Sequence, residues 1–163
     1  MSFDDLLDAN RSYAVDFAHG GFDGIARSGV AMVTCMDSRI DPLAMIGLRP
    51  GDAKILRNPG GRVTDQVLVA VVLGVTLLQV ERLMVVQHTR CAMASSTEKE
   101  IQARIAEKTG QDASWMSLGV IDDQETTIRA DVHKARSHPL VPDSVEIGGF
   151  LYDVDTGLLH QLA

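Results

Sequence analysis

Only two cysteines stand in the 163 residues, and each follows an apolar run: Cys35 in VTCMDSRIDP and Cys91 in VVQHTRCAM. His88 lies three positions before Cys91. His-x-x-Cys spacing lets an imidazole and a thiolate converge on one ion from a single turn, with Cys35 joining from elsewhere. Two sulfurs and one nitrogen suit Zn²⁺ and leave a fourth tetrahedral position without an obvious nitrogen or sulfur ligand. A structural zinc site is normally closed by four such ligands. An open position is where water binds and turns acidic, with a pKa near roughly 7 at a suitable zinc site.

Asp37 and Arg39 follow Cys35 in two-residue steps. Asp37 can reach the metal or its water, and Arg39 can hold Asp37 by a two-pronged ion pair, since guanidinium matches carboxylate geometry. Held in this way, the carboxylate can accept the proton of zinc-bound hydroxide and orient its lone pair. Released, it could take the fourth position as a closing ligand. The plainer readings are a small buried hydrophobe at Cys35, a surface ion pair at Asp37–Arg39, a Cys35–Cys91 disulfide, or a thiol redox pair.

The elements must bring these groups together. An apolar share of 45% and a charged share of 23% fit one soluble domain spanning 1–163. A net charge of -7, with scattered arginines, argues against nucleic acid as partner. The acidic start MSFDDLLDAN is unlike a secretory leader. The longest apolar stretch, 67–80, falls short of the roughly 18–20 residues that span a bilayer. A cytoplasmic location without membrane contact is the expectation.

Residues 2–19 read as an amphipathic helix, capped by Ser2 in a variant box with Asp5, its apolar face including Leu6, Leu7, Tyr13, Ala14 and Phe17. Strands are predicted at 29–34, 53–58 and 81–87, with a short helix from Pro42 to about Gly47 behind an Asp41 cap. Helix 64–79 is apolar almost all round and needs burial on two sides, such as a core and a subunit interface. Charged helices follow at 96–109 and 122–137, then a hairpin or a strand with a short return around Asp155-Thr156-Gly157. Alternating strands and helices imply a single-domain α/β layered fold, with a mostly parallel central β-sheet flanked by helices. If strands 30–34 and 82–87 are neighbours, Cys35 and His88 project from the same carboxyl edge, where such sheets bind ligands. Trp115 reads as core or interface. His19, His133, His138 and His160 read as surface or capping residues rather than proton shuttles.

Cys35-x-Asp37-x-Arg39, the RNPGG loop at 57–61 and His88-x-x-Cys91, in that order, resemble the β-class carbonic anhydrase family across most of the chain. The resemblance implies a homodimer or higher homo-oligomer, one Zn²⁺ per chain and reversible hydration of carbon dioxide to bicarbonate and a proton by zinc-bound hydroxide. It implies Cys35, His88 and Cys91 as metal ligands, Asp37 and Arg39 as the catalytic pair, and Asp37 as a fourth ligand in a closed form. Gly60 is expected to let backbone N–H groups approach the thiolates beside the substrate. The N-terminal helix is expected to pack on a partner subunit. Two thiolates donate more charge than imidazoles, so compensation must come from the pair, loop dipoles and surrounding hydrogen bonds. Arg90, Ala92 and Pro59 depart from the family's commonest residues. Alternatives are hydrolysis of carbonyl sulfide or carbon disulfide at the same site, and a non-catalytic zinc or bicarbonate-sensing protein.

Overall fold

The computed structural model describes residues 2–163. Five strands, β1 (Val30–Cys35), β2 (Ala53–Asn58), β3 (Arg82–His88), β4 (Glu146–Tyr152) and β5 (Leu159–Gln161), form one sheet in the order β2-β1-β3-β4-β5. The first three pairings are parallel, and β4–β5 closes the edge as an antiparallel hairpin. β1 is buried along its whole length, as its unbroken apolar sequence demands of a central parallel strand.

Four helices accompany the sheet: α1 (Asp4–Val15), α2 (Asp65–Leu77), α3 (Glu98–Thr109) and α4 (Gln124–Arg136). The main core joins Val33, Leu83, Val85 and Ile147 from the sheet to Val67 and Val71 of α2 and to Ile128 and Val132 of α4. α4 sits directly on Gly149 of β4, where a Cβ would collide with Ile128 and Val132. Thr64 caps α2 by accepting from Val67 N–H, as its sequence position predicts. Asp41 accepts from Ala44 N–H at 3.1 Å and opens a single 3₁₀ turn at Ala44–Ile46.

Three expectations change. The first helix ends at Val15 rather than 19, and an aromatic run, Tyr13, Phe17, His19 and Phe22 at 5.3–5.6 Å between successive rings, takes over beyond it. Its cap also differs. Phe3 holds the cap position without a side-chain bond, and Ser2 Oγ accepts from Asp4 N–H at 3.4 Å while donating to the Asp4 carboxylate, so no box with Asp5 forms. Trp115 is 76% exposed rather than in the core, its Nε1–H bound to the Asp112 carbonyl in a surface turn.

Helix α2 buries Val67, Leu68 and Val71 on the core side but leaves Val69, Leu73 and Leu77 in the open. No residue of α1 is buried, although Leu6, Leu7 and Tyr13 are apolar. The single chain thus buries only one of the two faces that α2's sequence offers. No helix among the described residues is long and apolar enough to cross a membrane.

Candidate metal centre

β1 and β3 are hydrogen-bonded neighbours running in the same direction, so Cys35 and His88 emerge at one carboxyl edge. The chain turns back at once after His88. Arg90 adopts φ 54°, the left-handed conformation that lets a short turn return Cys91 to the same spot. The β4–β5 hairpin braces this turn: Thr89 N–H donates to the Tyr152 carbonyl at 2.9 Å, and Val154 N–H donates to Thr89 Oγ1 at 3.1 Å. The result is a group of three donor atoms, Cys35 Sγ, a His88 ring nitrogen and Cys91 Sγ, all within 4.8 Å of one another and all buried.

The donor chemistry fits a metal ion. His88 Nδ1 donates to the Thr89 carbonyl at 2.8 Å, which leaves Nε2 as the nitrogen with a free lone pair. Nε2 is buried and has no hydrogen-bond partner, a costly arrangement unless an ion fills it. The two sulfurs titrate as a pair. Hydrogen bonding from Cys91, offset in part by burial, holds the Cys35 thiol well below its ordinary range, while the same contact together with burial pushes Cys91 upward. Both cysteines are free, and two sulfurs with one imidazole nitrogen are the donor set expected of zinc.

Asp37 and Arg39 form the two-pronged pair: Arg39 Nε donates to Asp37 Oδ1 at 2.9 Å and Nη2 to Oδ2 at 2.7 Å. The Arg39 backbone N–H adds a third donor to Oδ1 at 2.9 Å, and these bonds hold the Asp37 carboxyl well below the usual carboxylate range. Arg39 Nη2 also reaches the Arg90 carbonyl at 3.2 Å, tying the Cys35 loop to the His88–Cys91 turn. Asp37 Oδ2 stands 3.8 Å from His88 Nε2, beyond hydrogen-bond reach. Ile40, Met45, Met93 and Tyr152 pack around the cysteines and wall the site with apolar surface.

Gly60 sits at φ 77°, and its N–H donates to Cys35 Sγ at 3.4 Å. Cys35, Asp37, Arg39, Gly60, His88 and Cys91 therefore meet at one edge of the sheet. His19, His133, His138 and His160 lie outside the group.

Several supporting residues escape a reading of the sequence. Arg57 of β2 donates to three carbonyls of the loop that carries the site: Cys35 (3.0 Å), Asp37 (2.6 Å) and Ile40 (3.3 Å). Gln124 donates to the His88 carbonyl at 2.8 Å. Asp131 of α4 binds Arg62, 69 residues away. Arg57 stands within the recognisable RNPGG segment, but nothing local signals Gln124 or Asp131.

Comparison with known proteins agrees with this geometry. A sequence model of the carbonic anhydrase family matches residues 30–159. β-Carbonic anhydrase 1 of Mycobacterium tuberculosis is 31% identical over 159 residues, covering 98% of this chain and 96% of that protein. A carbon disulfide hydrolase of Acidianus sp. is 28% identical over 182 residues, covering 96% and 89%. The crystal structure of a carbonic anhydrase from Streptococcus mutans superposes with a TM-score of 0.89 at 35% identity, covering 100% of this chain and 99% of that one. The parallel sheet, the buried Cys35–His88–Cys91 group and these likenesses together show that the chain belongs to the β-class carbonic anhydrase family.

Proposed function

We propose that this protein catalyses the reversible hydration of carbon dioxide to bicarbonate and a proton, with one Zn²⁺ held by Cys35, His88 and Cys91. The observation that carries the reading is the buried, partnerless His88 Nε2 beside two sulfurs, with an ion-paired carboxylate 3.8 Å away. The bound ion would supply Lewis acidity and an acidified water as nucleophile. His88 contributes Nε2, kept in that tautomer by the Thr89 carbonyl. Cys35 and Cys91 contribute sulfur, and the Gly60 N–H withdraws part of the charge on Cys35. Asp37, restrained by Arg39, offers Oδ2 as an acceptor that fixes the direction of a hydrogen-bond donor at the reacting position. While Arg39 holds it, Asp37 is kept from becoming a fourth ligand. Ile40, Met45 and Met93 suit a small apolar substrate and exclude bulk water.

Stopped-flow assay of carbon dioxide hydration at alkaline pH, on protein of measured zinc content, tests the assignment. Zinc-replete protein without hydration activity would overturn it. Carbon disulfide hydrolysis is the second reading, favoured by the Acidianus relative. The same residues would serve, and sulfide release into the headspace distinguishes it.

The exposed apolar residues support an oligomer. Leu6, Leu7 and Tyr13 of α1, with Val69, Leu73 and Leu77 of α2, supply the area for a homodimer or larger assembly in which α1 packs on a partner subunit. A cytoplasmic location fits two unpaired cysteines required as thiolates.

A further inference from the structure

The loop that carries Gly60 is held by side chains. Gly60 N–H goes to Cys35 Sγ at 3.4 Å, Arg62 N–H to Asn58 Oδ1 at 2.8 Å and Val63 N–H to Asp131 Oδ2 at 3.1 Å. Asn58 completes a two-way clamp by donating from Nδ2 to the Arg62 carbonyl at 2.7 Å. Arg62 in turn places Nε on Asp131 Oδ2 at 2.7 Å and Nη2 on Oδ1 at 3.3 Å. Asp131 lies on the helix packed against β3 and β4, and its side chain is only 4% exposed. One carboxylate therefore fixes the Arg62 guanidinium and the Val63 N–H together.

Holding two charged groups in a largely dry place is not needed to keep α4 against the loop. Apolar residues of similar volume often do this at equal or better stability. What they cannot do is orient donors. The clamp lies close to the sulfur along the chain. Only Gly61 separates Gly60 from Arg62, so a displacement of Arg62–Val63 is passed along the backbone to the Gly60 N–H.

We infer that Asp131 is a positioning residue for the metal centre: through Arg62 and Val63 it keeps the Gly60 N–H on the Cys35 sulfur and so sets how strongly that sulfur donates to the ion. The inference rests on Cys35 as a zinc ligand, as proposed above. An N–H held on a ligating sulfur lowers the energy of its lone pairs. When that bond lengthens, sulfur-to-metal charge transfer requires less energy, and the ligand set is less well oriented for the ion.

The test uses the full-length chain with cobalt(II) in place of zinc, read by absorption, and zinc affinity read by chelator competition. In D131N and R62M the sulfur-to-cobalt band moves to longer wavelength, and zinc affinity falls about tenfold. V132A, which thins the core on the same helix, lowers the thermal midpoint and leaves band and affinity in place. The inference is overturned if D131N and R62M keep the wild-type band and affinity, whatever their midpoints. Should D131N not fold, R62M, which leaves Val63 N–H on Asp131, decides by the same two readings. A wild-type cobalt protein with no sulfur charge-transfer band removes Cys35 as a ligand, and this inference with it. A wild-type band that the variants do not shift removes this inference alone.

Discussion

Replacing Gly61 by alanine should separate two costs that glycine avoids at this site. Gly61 has φ +65°, and Gly47 has φ +70°. Placing an L-residue in this region costs about 1 kcal/mol at either position. The surroundings differ. A Cβ at Gly47 meets nothing within 4 Å, whereas at Gly61 it stands 2.6 Å from the Val86 carbonyl oxygen, 3.0 Å from Cys35 N and 3.1 Å from Thr34 C. All three are backbone atoms of the central strands, so no rotamer change relieves the overlap. Overpacking of this kind costs about 1–3 kcal/mol, and rigid backbone on the receiving side points to the upper end. G61A should thus lose about 3–4 kcal/mol and G47A about 1 kcal/mol. Urea unfolding at matched protein concentration reads the difference as a midpoint roughly 1 M or more lower for G61A at a common slope. The strand end that must shift carries Cys35, so bound zinc per chain should also fall in G61A and hold in G47A. Equal midpoints for the two variants would refute the close-approach argument and leave only the backbone term.

Three further outcomes follow from the geometry. Arg39→Met frees the Asp37 carboxylate, and hydration activity should drop about 10–100-fold with zinc content retained; full activity would deny the pair its role. Asp37, Asp123 and Asp153 are all held below the usual carboxylate range, Asp37 by Arg39, Asp123 by Thr126 and Asp153 by Asp155 N–H. Because these pKa values are depressed on folding, the unfolded chain binds more protons below about pH 4–5, so stability is full above that range and declines as pH falls through it. A urea midpoint that stayed level from there to about pH 2 would contradict this. Leu6→Glu and Leu73→Glu place charge on exposed apolar faces of α1 and α2, and both should shift sedimentation toward the monomer with the protomer still folded.

The supporting framework was less legible than the ligands. Period and punctuation place β1, β2 and β3 to within a residue, because unbroken apolar runs such as VAMVT leave few alternatives to a buried parallel strand, whereas β4 and β5 show only as alternation without sharp ends. Helix ends were weaker. Residues 16–19 continue an amphipathic pattern, but α1 has no buried residue to hold its last turn. α3 starts at 98 rather than 96, fixed by the capping box of Thr97 and Glu100.

The chemistry of the site is legible in the residues alone. Two cysteines and one histidine, with an aspartate and an arginine at two-residue steps, are intelligible as a zinc site because ligand type and short spacing are local properties. Long-range packing is what puts β1 and β3 side by side, leaves His88 Nε2 rather than Nδ1 free, and turns Asp37 onto Arg39. It alone joined Asp131 to Arg62 across 69 positions and placed Arg57 under the Cys35 loop. Those contacts depend on strand order and helix packing, which long-range burial sets and no short window of sequence contains.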